Sequence, residues 1–296
     1  MKSIIYLSQY FAFRIFKGFI MLFPEKTRFK IGENIGVLGY RLIKSRRITT
    51  LANLKLAFPE KTTEERRKIA IDSYKTMAKA FLGALWLDEY MKNDDNFKIH
   101  NIEVLDRALK KGPVVFATMH LGNMESLGKF SEKYPLITVA KKQRNPYLNK
   151  YITDQRKHLN IILLEKSKRT GRELLEYAEF GKNIALFTDH RDKGTNVEFF
   201  GADTVSPTGV STIALKYNRP LILVYCIFTK DNKTEVFIEE LRKINSHNLN
   251  FKENVHETTQ KIIFKMEEII TKHPDQWMWL HDRWKLYKQV TKKKRK

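Results

Sequence analysis

From Asn101 onward, short apolar runs alternate with amphipathic stretches. Val114-Val115-Phe116-Ala117, just after the breaker Lys111-Gly112-Pro113, reads as a buried strand. The same pattern predicts strands over 113–119, 136–141, 161–165 and 183–189, separated by helices over 123–132, 146–158 and 170–180. A strand over 197–200 and a helix over 208–217 continue it. Runs near 220–229 and 233–241, joined across Asp231-Asn232, read as a hairpin, and a long helix over 252–272 precedes a Trp-rich close. Residues 48–92 read as helices, one opening at Thr63-Glu64-Glu65-Arg66 with Ile69, Ser73, Met77 and Phe81 at helical spacing. Such alternation implies an α/β fold with a mostly parallel central sheet flanked by helices. Functional groups in these sheets gather at strand C-terminal ends, where His120 and Asp189 both stand.

Ser3 to Phe23 is almost wholly apolar and long enough, as a helix, to cross a bilayer core, but Arg14 and Lys17 interrupt it. On a helical wheel Ser3, Tyr6, Tyr10, Arg14, Lys17 and Gly18 share one arc, and the remaining face is apolar. An amphipathic helix lying in the membrane interface avoids the cost of a mid-membrane arginine. A tilted span with Arg14 and Lys17 snorkelling or facing protein competes with it. A cleaved signal is disfavoured, because no small-residue site follows. Pro24 ends the segment, and Lys26, Arg28, Lys30, Arg41, Lys44, Arg46 and Arg47 follow, which predicts a cytoplasmic face. The chain thus divides into an anchoring helix over 1–23, one domain over 24–290 and a basic tail over 291–296.

The candidate chemistry centres on His120 and Glu125. Residues five apart on one helix point about 140° away from each other. The two cooperate only if His120 ends a strand, Gly122 turns the chain, and Asn123 caps a helix whose first turn carries Glu125. A histidine polarised by a carboxylate is a general base near neutral pH, as deprotonation of an alcohol requires. No serine or cysteine stands in a nucleophile elbow, so direct transfer without a covalent intermediate is expected. Ser126 reads as a tolerated helical serine.

Four blocks carry a family resemblance. Lys111 to Gly128 (KGPVVFATMHLGNMESLG) resembles the His-four-residues-acid motif of glycerolipid-type acyltransferases, in its glutamate form. More narrowly it is similar to the lauroyl/myristoyl acyltransferases of bacterial lipid A biosynthesis, within the lysophospholipid acyltransferase-like superfamily. Arg156, after Asn145-Pro146, stands where that family carries an arginine. Asp189 matches its Asp-Gln, with His190 in place of the glutamine, and Val197-Glu198-Phe199-Phe200-Gly201 matches its Val-x-Phe-Phe-Gly. His273 to Lys285 resembles its Pro-Glu-Gln-Tyr-x-Trp-x-His-x-Arg-Phe-Lys close. The resemblance implies a glycerolipid acyltransferase-like fold and an acyl chain donated by acyl carrier protein. It further implies an anionic, Kdo-bearing lipid A precursor as acceptor, an acyloxyacyl ester as product, and a site on the cytoplasmic face of the inner membrane. Under it, His120 is the base and Glu125 its orienting carboxylate. Backbone N–H groups after Gly122, or Arg156, meet the oxyanion, and Asp189 pairs with Arg156 in support.

Composition narrows the partners. Lys plus Arg exceed Asp plus Glu by 55 − 33 = 22 among 296 residues, which points to a polyanionic partner. Aromatics do not interleave with the basic residues as a nucleic-acid stacking platform requires, so an anionic membrane surface fits better and no nucleic acid is expected. Lys141, Lys142 and Arg144 follow a strand, and Arg191 and Lys193 follow Asp189; each group is placed to meet substrate phosphates or to be a solvated loop. The single Cys226 lies in an apolar run and reads as a core residue, and Trp277, Trp279 and Trp284 read as packing anchors. No Cys/His cluster has zinc-ligand spacing, and neither metal nor cofactor is expected. Two classes stay open: an acyltransferase, on lipid A or on another glycolipid or lysophospholipid, and a non-enzymatic basic membrane- or nucleic-acid-binding protein.

Overall fold

The structure, a computed structural model, describes residues 2–293. Lys294, Arg295 and Lys296 of the basic tail lie outside the described residues. The elements run α1 (Lys2–Met21), α2 (Glu25–Leu42), α3 (Lys44–Ala57), α4 (Thr63–Gly83), α5 (Leu87–Lys92), β1 (Phe97–His100), α6 (Ile102–Lys110) and β2 (Val115–Thr118). A 3₁₀ segment (Met124–Glu132) follows, then β3 (Leu136–Ala140), α7 (Pro146–His158), β4 (Ile161–Glu165), α8 (Thr170–Glu179) and β5 (Asn183–Phe187). The rest comprises β6 (Thr195–Phe199), β7 (Ala202–Ser206), α9 (Gly209–Lys216), β8 (Leu221–Phe228), β9 (Thr234–Leu241), α10 (Phe251–Lys272) and α11 (Leu286–Lys293).

Seven strands form one sheet in the order β1-β9-β8-β2-β5-β3-β4. Every neighbouring pair is parallel except β8 and β9, the expected hairpin. β2 is central, and Val115, Phe116, Ala117 and Thr118 are all buried, as a strand covered on both faces by helices requires. Local chemistry sets the helix starts. Thr62 and Glu65 form a capping box on α4, Asn250 and Glu253 form another on α10, and Asn145 accepts from the N–H groups of Tyr147 and Leu148 ahead of α7. Gly32 and Gly36 let α2 lie close against α4: a Cβ on Gly36 would come within 2.4 Å of the Tyr74 carbonyl.

Two expectations are corrected. The 123–132 segment is a 3₁₀ helix, and Asn123 does not cap it. Its side-chain amide donates instead to Thr234 Oγ1, and both the N–H and hydroxyl of Ser126 close on the Asn123 carbonyl, tightening the turn. The run at 197–200 is not part of the main sheet; β6 pairs only with β7 as an antiparallel ribbon. Phe200 and Gly201, both at positive φ, make its tight turn.

α1 packs on α7 through its polar arc: Lys17 Nζ donates to the Tyr151 hydroxyl (2.6 Å), Asn145 donates to the Tyr6 carbonyl (2.8 Å), and Phe13 meets the edge of Tyr151. Arg28 donates to the carbonyls of Met21 and Phe23 and so fixes the exit of α1. Ile4, Ile5, Phe11, Ile15, Phe19 and Leu22 remain exposed. Among the described residues no helix is long and apolar enough to cross a membrane.

Candidate active site

Strand register builds the site. β2 and β5 are parallel neighbours with Thr118 opposite Phe187, and the Thr188 N–H continues the ladder to the Thr118 carbonyl. Two residues further on, His120 and Asp189 meet across the strand ends. His120 Nδ1–H donates to Asp189 Oδ1 (2.9 Å), and the His120 backbone N–H donates to Oδ2 (2.8 Å). Trp277 Nε1–H also donates to Oδ2 (2.8 Å). Burial by itself raises the Asp189 carboxyl, but the facing His120 imidazole and its hydrogen bonds outweigh that and hold it well below the usual carboxylate range. With Nδ1 committed to Asp189, the Nε2 lone pair is the one left to accept a proton.

The expected pairing of His120 with Glu125 is corrected. No hydrogen bond joins them; Glu125 is ion-paired with Arg156 from α7, and the carboxylate on the imidazole is Asp189. The physical reason is topological: adjacent parallel strands deliver Asp189 directly beside His120, whereas the 3₁₀ turn aims Glu125 at α7. For the same reason the expected Asp189–Arg156 ion pair is not formed.

Gly122 does turn the chain, at φ +54°, and a Cβ there would lie 2.3 Å from the Cys226 carbonyl. Its N–H donates to the Gln276 carbonyl, and the Met278 N–H donates to the His120 carbonyl. The C-terminal segment thus clamps the His120–Gly122 loop on both sides. Met124 and Glu125 open the 3₁₀ segment, and among the described residues their N–H groups bond no protein acceptor, as expected at a helix start; the Asn123 N–H before them faces the Cys226 thiol. Cys226 is buried and its thiol is pushed up by burial, consistent with a core role.

Beside the dyad lies an apolar cavity of about 450 Å³. Its wall includes Phe187, on which the His120 ring stacks at 4.2 Å, together with Thr118 and the paired Glu125 and Arg156. Aliphatic groups such as Val139, Ile161 and Leu163 line much of the remainder.

A second layer surrounds Asp189. The His190 ring stands edge-on to His120 (6.2 Å), and its Nδ1 is buried without a partner. His281 Nε2 accepts from the Arg191 N–H (3.0 Å), and burial depresses its pKa to about 4, so it stays neutral. Arg283 is fully buried and donates to the His190 and Val205 carbonyls and the Ser206 hydroxyl; burial lowers its pKa to about 10, still charged at neutral pH. Despite the gathering of histidines, no group of three potential ligands among the described residues could hold a metal ion.

The basic candidates scatter. Lys142 pairs with Glu165, Arg191 bonds Thr204, and Lys141, Arg144 and Lys193 have no ion-pair partner among the described residues. What the residue pattern missed is Trp277. The Trp-rich block was visible, but its indole N–H is a ligand of Asp189 as well as a packing group.

A sheet-end histidine thus stands with a buried carboxylate behind it and an apolar cavity alongside. The profile of the family described as bacterial lipid A biosynthesis acyltransferase matches residues 2–286, and the chain belongs to that family. It is 22% identical over 278 residues to the lipid A biosynthesis lauroyltransferase of Escherichia coli (strain K12), covering 90% of this chain and 88% of that one. It is 20% identical over 262 residues to the lipid A biosynthesis palmitoleoyltransferase of the same strain, covering 86% and 84%. A Shigella flexneri lipid A biosynthesis acyltransferase matches to the same extent. Of the two classes left open by the sequence, the enzyme is the one that stands: an acyltransferase of lipid A biosynthesis.

Proposed function

We propose that this protein moves a fatty acyl chain from acyl carrier protein onto a hydroxyl of a lipid A precursor, at the cytoplasmic face of the inner membrane. The observation that carries the reading is the His120 imidazole, held through Nδ1 by buried Asp189 and stacked on the wall of an apolar cavity.

The chemistry follows from the geometry. His120 Nε2 takes the proton of the acceptor hydroxyl as its oxygen attacks the thioester carbonyl, and Asp189 stabilises the resulting imidazolium. The unpartnered N–H groups at Met124 and Glu125, with the Arg156 guanidinium beside them, supply charge for the tetrahedral oxyanion. Collapse expels the thiolate, which takes the proton from His120. Glu125 acts by holding Arg156 at the cavity wall. The cavity receives the acyl chain, whose burial there is favourable at about 25 cal/mol per Å². The excess of 22 positive charges suits an acidic carrier protein and a phosphorylated lipid. The exposed apolar residues of α1 support an in-plane membrane contact.

Mass spectrometry of lipid A from a strain lacking this protein tests the reading. Loss of the mass of one acyl chain is expected, restored by the wild-type chain and not by His120→Ala. An unchanged lipid A profile overturns the proposed acceptor, and restoration by His120→Ala overturns the proposed base.

A further inference from the structure

Of the residues lining the apolar cavity, only Phe81 and Gln143 are themselves exposed, so they mark where it opens. Phe81 lies near the end of α4, between Ala80 and Leu82, which share one apolar cluster with Ile20 at the C-terminal end of α1. Gln143 lies two residues before Asn145, whose amide donates to the Tyr6 carbonyl and to Gln9 near the start of α1. α1 is therefore fastened at its two ends beside the two exposed lining residues. Between them stands α7, with Tyr147 and Tyr151 turned to α1 and Ile152 and Arg156 turned to the cavity. No residue of α7 is buried, so it is a thin partition between α1 and the cavity.

We infer that the cavity has a side door at the bilayer surface, with α1 as its sill, through which a hydrocarbon chain passes between cavity and membrane without crossing water. This rests on the proposed membrane contact of α1. Three observations converge on it: the cavity wall is apolar, its exposed rim residue Phe81 is aromatic, and the outward face of α1 beside that rim carries Ile15, Phe19 and Leu22. Transfer to a membrane lipid leaves the new chain in the cavity, tied to a molecule that belongs in the bilayer. A lateral opening lets that chain slide out and avoids exposing its methylenes to water, a cost of about 0.8 kcal/mol each.

The test uses the full chain and anionic vesicles of phosphatidylglycerol and phosphatidylcholine doped with a phospholipid whose acyl tail ends in a diazirine. After irradiation, cross-links are mapped by peptide mass spectrometry. Labels on α1 (Phe11, Ile15) together with labels in the cavity (Val139, Leu163) are expected. A Phe81→Glu variant, altered at a half-exposed position, should lose about tenfold or more of the cavity label while keeping the α1 label, since a charge in an apolar mouth opposes chain entry. Labels on α1 with an unlabelled cavity overturn the side door and leave the membrane reading intact. Cavity labels with α1 unlabelled overturn the membrane contact on which it rests. A parallel arm uses a diazirine-tailed acyl-pantetheine in solution without vesicles; cavity labelling there that Phe81→Glu does not reduce also overturns the proposal, because the chain then enters from water by another route.

Discussion

The indole N–H of Trp277 and the backbone N–H of His120 converge on the same carboxylate oxygen of Asp189, each at 2.8 Å. That leaves the other oxygen for the His120 ring alone and fixes the direction in which the imidazole points. Trp277 thereby helps to orient the imidazole, the proposed base, without touching it. Trp277→Phe keeps an aromatic side chain, smaller than the buried indole, and removes one charge-assisted hydrogen bond, so kcat for acyl transfer should fall about tenfold with KM unchanged. Initial rates over a range of acceptor concentrations read this split.

Asp189→Asn offers an amide where the carboxylate accepts three hydrogen bonds. The imidazolium then loses its counter-charge and the ring its enforced tautomer, and a drop in kcat of roughly 10²- to 10⁴-fold is expected. Single-turnover rates of Asp189→Asn and Glu125→Gln rank the two carboxylates. The Asp189 variant should be the slower, and the opposite order would return the orienting role to Glu125.

Glu125 and Arg156 should behave as one unit. Removing either leaves its partner part-buried on an apolar wall, so a double-mutant cycle of Glu125→Ala and Arg156→Ala on kcat/KM should show a coupling of about 1–3 kcal/mol. Additive losses would mean that the two act separately.

Gly122→Ala should destabilise the fold by on the order of 3 kcal/mol, since it combines a left-handed backbone with a Cβ driven into the Cys226 carbonyl. A urea titration measures the change in midpoint.

Acid should weaken the protein well above the carboxylate range. Burial lowers the pKa of His281 to about 4, and lowers those of His190 and His273 as well. The folded state therefore binds fewer protons than the unfolded chain once pH drops below the ordinary histidine value of about 6.5. Their stabilisation is complete above that pH and is lost as pH falls toward 4. Urea midpoints between pH 7.5 and 4.5 should decline accordingly, and His281→Gln, which keeps an acceptor for the Arg191 N–H, should flatten the decline.

The residues declared much of this in advance. Buried parallel strands are short and continuously apolar, so β2, β3, β4 and β5 were legible from Val114-Phe116 and its counterparts, and the β8–β9 hairpin from its two flanking runs. Gly122 was legible because a strand ending at His120 can reach the helical turn beyond it only through a sharp bend. The partner of His120 was not, because residues 69 apart meet only through strand order and register, which no local pattern encodes. The local Glu125 was the carboxylate that sequence distance favours, and the sheet overruled it. The β6–β7 ribbon escaped for a different reason: its turn puts Phe200, a residue with no preference for positive φ, in the left-handed region beside Gly201.

Among the described residues Arg283 has no carboxylate hydrogen-bond partner; carbonyls and hydroxyls of the β6–β7 ribbon and the His190 carbonyl hold it fully buried. It works as a rivet through three layers: ribbon, the strand end that carries Asp189, and C-terminal segment. Peeling the ribbon away would leave a buried cation without its partners, so loosening there and loss of the His120–Asp189 geometry should occur as one cooperative event.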